Sequence, residues 1–381
     1  MNIDEILTRG VAQIIDKDNL KKRLESGEKL RIKFGVDPTK PDIHLGHMVN
    51  IRILKKLQEL GHTIIFLIGD YTTRIGDPSG RNTMRPVLSE EEIKANADTY
   101  IEQVGKILDT NKTEIRFNSE WYENMKFNDI LKIVAKFTAQ QIIERDDFQK
   151  RMKDGHDLGL HELLYPVMQA YDSVILKADV AFGADQTFNE LAGRDLQKKM
   201  DMPPQDIVVT KILVGTDGKI KMSKSVGNYI GVTDVPADMF GKVMSIPDEA
   251  MPQYFELCTD LDMPTNDNPR EIKAQLAREI VKIYHGQEAS NEAAAEFDRV
   301  YKNKEMPTDI PTINIEVDKM NIIDLIMETK LVESRSEARR LVEQGGLEAG
   351  GVKITDPTEE VAIEKDIIIR AGKHKFVKIT K

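Results

Sequence analysis

Three short segments of this 381-residue chain carry side chains suited to chemistry on a nucleotide and a small polar partner. The first is His44-Leu45-Gly46-His47, which follows a strand-like stretch and opens a helical run. Two histidines three apart at a helix N-terminus face roughly the same way. The free N–H groups and the dipole of that end favour phosphate. Gly46 has no side chain, so a flat base can approach the backbone closely. Alone, the pair would equally describe a capped helix with two incidental surface histidines. The second segment is Lys221-Met222-Ser223-Lys224-Ser225, in a loop after a strand. Two lysines on a mobile loop can reach a triphosphate and neutralise charge as it moves onto pyrophosphate. Alone, such a loop would equally be a solvated basic turn. The third is Tyr165, Gln169 and Asp172 in LLYPVMQAYDSV. At ~100° per residue these three fall within ~60° on one helix face. A polar stripe in an apolar helix must find partners if it is buried, although a cap and a surface turn would leave the same pattern.

The elements that must position these residues follow from periodicity. LRIKFGVD, 30–37, alternates and stops at Asp37-Pro38, as a strand entering a loop should. Val49, Ile53, Leu54, Leu57 and Leu60 recur at a helical period that Gly61 ends. TIIFLIGD, 63–70, is the short apolar run of a buried parallel strand. Strand, helix and strand make a βαβ unit. Residues 91–153 read as helical with a weaker strand at TEIRFNS. Residues 160–172 read as a helix, DSVILKADVAFG as strand-like, and DIVVTKILVG, 206–215, as a further strand. This predicts an α/β fold with a doubly wound, Rossmann-like parallel sheet over 1–230, carrying a helical insertion near 91–155. Ligands in such a fold lie where strands end and helices begin. From about Gly231 the strands stop: 231–306 reads as an α-helical domain. Residues 307–319, with little helical period, read as a linker, and 320–381 as a small α+β domain.

Composition narrows the class. Lys+Arg 54 against Asp+Glu 64, with 40% hydrophobic residues, describes a folded acidic chain rather than a nonspecific nucleic-acid coat. The one cysteine, Cys258, excludes an intrachain disulfide framework and any multi-cysteine zinc site, and fits a reducing compartment. The polar start MNIDEILTRG does not read as a signal peptide, and the longest apolar run, Ile64–Ile68, is too short to cross a bilayer, so no membrane role is expected. There is no G-x-x-x-x-G-K-[ST], and His161-Glu162 lacks the second histidine of a zinc protease helix.

Taken together, HLGH and KMSKS resemble the paired signatures of class I aminoacyl-tRNA synthetases. The Tyr165-x-x-x-Gln169-x-x-Asp172 stripe is similar to the amino-acid pocket of the tyrosyl-tRNA synthetase family. So are Phe34-Gly35-Val36-Asp37-Pro38-Thr39, Gly76-Asp77-Pro78-Ser79-Gly80 and Gly183-Ala184-Asp185-Gln186. The resemblance extends over essentially the whole chain. It implies activation of tyrosine by ATP, with Mg²⁺ arriving on the nucleotide and no structural metal, followed by transfer to the 3′-terminal adenosine of tRNA(Tyr). By the same resemblance Tyr165, Gln169 and Asp77 hold the substrate ammonium. Asp172 accepts from its phenol, Gln186 lies near its carboxylate, and Gly35 belongs to the same pocket. Thr39, His44, His47, Lys221 and Lys224 are the implied catalytic groups. ATP would contact Asp37, Gly46, Asn50, Gly183, Asp185, Lys221, Ser223 and Lys224.

Residues 320–381 resemble the S4 RNA-binding domain of bacterial members, and Arg335, Arg339, Arg340, Arg370, Lys373 and Lys375 are the implied tRNA contacts. The acid-free stretch 368–381 supports such a patch on an acidic protein, although a solvated charged face would look alike. The resemblance further implies a homodimer through the insertion around 121–150 and a cytoplasmic location. Two positions depart from the commoner pattern. Lys33 stands where many bacterial members carry a pocket tyrosine, as in a second bacterial branch, and Gly183 stands without a second glycine beside it. The alternatives are a tryptophanyl enzyme, a non-catalytic RNA-binding protein on the same scaffold, and a small-molecule nucleotidyltransferase.

Overall fold

The computed structural model describes residues 2–77, 88–184, 186–265, 268–303, 305–306, 310–332, 334–363, 366–372 and 375–380. The expected site residues Asp185 and Lys373, and the Pro78-Ser79-Gly80 segment, lie outside them. Six strands form the first sheet: β1 Val11–Ile15, β2 Arg31–Val36, β3 Thr63–Ile68, β4 Thr113–Phe117, β5 Val180–Gly183 and β6 Asp206–Thr210. Their spatial order is β1-β6-β5-β2-β3-β4. β2 to β6 are parallel to one another, with Phe34 beside Phe66 on one side and Phe182 on the other. Winding runs outward in both directions from the β2/β5 pair, so a crevice opens beyond the C-terminal ends of those two strands. Both faces are covered, which is why β3, TIIFLI, is apolar almost throughout.

β1 is an edge strand that the periodicity reading missed. It pairs antiparallel with β6 through an irregularity between Val11 and Gln13, and its exposure follows no two-residue alternation. DSVI, expected as strand, is the last turn of helix Leu164–Ile175. Its Ala170 and Val174 pack with Ala192 and Leu196 of helix Thr187–Lys199. That contact outweighs the β-branched preference of Val174 and Ile175. The last strand of the sheet ends at Thr210 and not at 215.

The helices after Gly231 do not form a separate body. Residues 1–287 are one compact unit and 288–381 a second. Helix Met251–Cys258 is tied back to the sheet domain. Arg9 donates to the carbonyls of Phe255, Glu256 and Leu261. Glu256 accepts from the Gly10 N–H and from Lys211, and Tyr254 donates to the Val214 carbonyl at 3.0 Å. The helical run that starts at Pro269 breaks at Gly286, whose φ of 88° suits glycine.

In the second unit, β7 Thr312–Asn314, β8 Lys319–Asn321, β9 Leu347–Ala349, β10 Val352–Ile354, β11 Glu360–Ala362, β12 Ile367–Ala371 and β13 Lys375–Thr380 form two sheets, in the orders β10-β9-β12-β13-β7 and β11-β8. Helices Ile322–Glu328 and Arg335–Glu343 pack on a core of Leu325, Ile326, Ala338, Val342, Leu347, Ile369 and Ile379. The expected linker 307–319 is therefore partly structural. β7 pairs in parallel with β13, and the Ile315 N–H donates to the Thr380 carbonyl at 2.9 Å.

Candidate active site

A cleft of about 360 Å³ lies beyond β2 and β5 and is lined by all three chemistry-bearing segments. His44 is the N-cap of helix Leu45–Glu59, whose buried stripe of Met48, Val49, Ile51, Ile53 and Leu54 seats it on the sheet. The His44 N–H donates to His47 Nδ1 at 3.3 Å, and the two rings lie 3.9 Å apart. His44 Nδ1 is buried with no partner among the described residues. Burial, then the positive charge of His47, Lys224 and Lys221, pushes the His44 pKa down to about 2, so its ring is neutral near pH 7. A Cβ at Gly46 would sit 3.0 Å from the His44 ring, so glycine keeps this turn open. Asn50, one turn on, accepts from Thr210 at 3.0 Å.

The lysine loop is stitched to the histidine turn by backbone bonds. Leu45 N–H donates to Ile230, Val232 N–H donates to Ile43, and His44 bridges Gly231. Lys224 reaches across and donates to the Asp42 carbonyl at 2.5 Å and carboxylate at 3.1 Å. Burial lowers its pKa, with Asp42 pulling the other way. Buried Asn228 shapes the loop: its Oδ1 accepts from the Ser223 N–H at 2.8 Å, and its amide donates to Asp217 and towards the Lys221 carbonyl. Gly215 is required beneath it, since a Cβ there would meet the Asn228 amide at 2.1 Å. Asn228→Ala is expected to slow any reaction that depends on this loop by roughly 10- to 100-fold through misplacement, with the melting temperature little changed. Steady-state rates and a thermal melt check both.

The polar stripe is deeper in the cleft. Tyr165 donates to Asp37 at 3.0 Å, and Thr72 donates to the other Asp37 oxygen at 3.0 Å. Gly69 permits this, because a Cβ would come within 2.2 Å of Asp37. Gln169 accepts from Asn189 at 2.7 Å and donates to Glu190 at 3.1 Å. Asn189 also donates to Gln186, which donates to Asp77 at 3.1 Å. Buried Arg145, from the helical insertion, donates to Asn189 at 3.2 Å and lies 3.7 Å from Asp77. Asp172 is 2% exposed and accepts from Trp121 Nε1 at 3.0 Å and Asn118 at 3.4 Å. Burial pushes its pKa up to about 7, against the pull of Lys33, of neighbouring Tyr122 and of the Asn118 and Trp121 donors. Lys33, 1% exposed, is fixed between Glu190 at 2.9 Å and Ser173 at 2.8 Å.

The cleft thus gathers Gly35, Asp37, Thr39, His44, Gly46, His47, Asn50, Asp77, Tyr165, Gln169, Asp172, Gly183, Gln186, Lys221, Ser223 and Lys224. Sequence reasoning did not single out Asp42, Asn118, Trp121, Arg145, Ser173, Asn189, Glu190 or Asn228. Asn189 and Glu190 stand three and four residues after Gln186, a helical spacing that could have drawn attention to them. In the second unit Arg335, Arg339 and Arg340 are exposed on one helix, with Arg335 paired to Asp324 at 2.5 Å. Arg370 pairs with Glu348 at 3.4 Å on the sheet, and Lys375 donates to the Leu331 carbonyl.

Comparisons with known proteins bear on the family and the fold. Residues 25–302 match the family model of class I tRNA synthetases (W and Y), and 303–379 match that of the tyrosine–tRNA ligase SYY-like C-terminal domain. The chain is similar to a tyrosine–tRNA ligase of Dehalococcoides mccartyi (strain ATCC BAA-2266), at 49% identity over 99% of this chain and 98% of that one. It is similar to the tyrosine–tRNA ligase of Thermotoga maritima at 45% identity, over 99% and 96%. A C-terminally truncated mitochondrial tyrosyl-tRNA synthetase of Aspergillus nidulans superposes with a TM-score of 0.65 at 24% identity, covering 78% of this chain and 93% of that one. The L-tyrosine complex of the Archaeoglobus fulgidus tyrosyl-tRNA synthetase gives 0.61 at 23%, over 76% and 98%. At these identities the superpositions bear on the fold alone.

Proposed function

The chain belongs to the class I tRNA synthetases of the tryptophan and tyrosine group, and from that premise we propose how its cleft works as a tyrosine–tRNA ligase. The tyrosine carboxylate attacks the α-phosphorus of ATP, and the bond to the bridging oxygen breaks as pyrophosphate leaves in line. No enzyme nucleophile is needed, so catalysis is positioning and charge stabilisation. Thr39, His44, Lys221 and Lys224 hold the β- and γ-phosphates, with Ser223 beside them. Gly46 and His47 seat the adenosine, with Asp37, Asn50 and Gly183 nearby, and Asp185 is assigned to the same nucleotide by resemblance alone. Tyr165, Gln169 and Asp77 take the ammonium of tyrosine, with Gly35 in the wall beside it. Gln186 takes its carboxylate, and Asp172 its phenol. A ribose hydroxyl of the tRNA terminus then attacks the adenylate carbonyl, and AMP leaves.

Mg²⁺ accompanies ATP as part of the substrate. Among the described residues no cluster of three or more His, Cys, Asp or Glu could hold a metal. One observation carries the reading: a single cleft is lined by His44, His47 and Lys224 together with Tyr165, Gln169 and Asp172. The test is amino-acid-dependent exchange of pyrophosphate into ATP. Tyrosine alone should support it, and exchange driven by tryptophan would overturn the assignment.

The segment 320–381 acts as an S4-like grip on tRNA(Tyr) through Arg335, Arg339, Arg340, Arg370, Lys373 and Lys375, and the enzyme works in the cytoplasm with its tRNA. No described helix is long and apolar enough to cross a membrane. The enzyme acts as a homodimer joined through its insertion. Helix Phe127–Val134 buries none of its residues, Phe127 is 74% exposed, and an apolar recess beside it is lined by Ile130, Ile133, Val134, Val167 and Tyr171. Phe127→Asp with Leu131→Asp is expected to give a folded monomer in sedimentation equilibrium. A dimer unchanged at low micromolar concentration would place the contact elsewhere.

A further inference from the structure

We infer that Lys33 is a specificity-determining residue, acting through Asp172 to reserve the pocket for an amino acid that ends in a hydroxyl. This deepens the tyrosine reading and rests on it. Lys33 lies in β2 between Ile65 of β3 and Ala181 of β5, in the middle of the sheet. Lys33 lines the cleft together with Asp172 and Glu190. Glu190 Oε2 at 2.9 Å and Ser173 Oγ at 2.8 Å fix it, and Gln169 and Gln205 hold the Glu190 carboxylate in turn. A buried ion pair of this kind contributes little net stability compared with apolar side chains of the same volume, so stability alone explains it poorly. Its placement explains more. The charged and titratable groups around Asp172 are Lys33 on β2, Tyr122 beyond β4 and, behind Lys33, Glu190, and among the described residues Lys33 is the cation with the largest pull on that carboxylate.

The energetic argument is one of unpaired charge. A buried carboxylate left without its hydroxyl partner costs more than a buried carboxylic acid left in the same way. A fixed cation that keeps Asp172 ionised therefore sharpens rejection of a plain phenyl side chain. Without that cation, Asp172 would protonate at a higher pH and tolerate phenylalanine better.

The test compares kcat/KM for tyrosine and phenylalanine in pyrophosphate exchange across roughly pH 6 to 9, since kcat/KM reports groups of the free enzyme. In the wild type the preference for tyrosine is expected to weaken as pH falls through about 7. Lys33→Met with Glu190→Gln removes both charges at near-constant volume. It should move that midpoint up by about one unit and lower the preference near pH 7 by about fivefold, as the ionised fraction of Asp172 falls. An unchanged midpoint and ratio in a variant that still melts cooperatively would overturn the inference. Glu190→Gln alone supplies the independent arm and decides the question should the double variant not fold. It keeps the cation without its counter-charge, so the midpoint should fall, and a rise or no change would overturn the inference. A wild-type protein without tyrosine-dependent exchange would instead overturn the underlying assignment before any variant is compared.

Discussion

Replacing Asp172 with alanine should collapse the preference for tyrosine over phenylalanine by roughly tenfold to a hundredfold, the size expected when a buried charged hydrogen-bond partner is lost. Asp172 is fully enclosed, and two of its acceptor positions are filled by Trp121 and Asn118. A carboxylate has about four such positions, so room remains for a phenol to donate. Phenylalanine offers nothing there and leaves the carboxylate under-satisfied. With alanine the penalty disappears: tyrosine loses its acceptor and phenylalanine gains an apolar surface. The ratio of kcat/KM values in exchange reads this directly. An unchanged ratio would mean that the phenol is read by another group.

Lys224→Ala should slow adenylate formation by roughly a hundredfold to a thousandfold, as loss of a charge-stabilising donor does, while ATP affinity changes only a few-fold. The reason lies in the contacts of Lys224 before reaction. Its ammonium is bonded to the carbonyl and carboxylate of Asp42. In the proposed role, binding ground-state ATP would exchange one set of oxygen partners for another, with little gain. The gain would come as negative charge accumulates on the departing pyrophosphate, since interactions made only then raise the rate without tightening binding. Rapid mixing under single-turnover conditions, with ATP concentration varied, separates the two quantities. Equal losses in rate and in affinity would show that Lys224 binds ATP uniformly and would remove it from the transition state.

Much of this was legible in the residues because the signals are local. β2, helix Leu45–Glu59 and β3 follow from hydrophobic period and from Gly61, and HLGH and KMSKS are contiguous strings. What escaped depends on long-range pairing. In an alternating strand Lys33 reads as a solvent-facing position. It is buried because both faces of the sheet are covered, and Glu190, far along the chain, neutralises it. Asp42 and Asn228 are ordinary loop residues until the lysine loop lies over the first turn. VAQII lacked alternation because it is a bulged edge strand, and β7 looked like a linker because three residues just after Pro307 and Pro311 show no period. The compact unit ends at Gln287, and side chains such as Arg9, not a change in composition, join the helices to the sheet.

The backbone bonds that join residues 43–45 to 230–232 make two remote stretches one mechanical piece. In the proposed reaction the lysine loop would close from a base anchored to the histidine turn, so the span from that base to the bound phosphates would stay constant. Any closing movement would then fall to residues 221–229. Lengthening or stiffening that segment would retune how quickly it shuts without moving where it lands.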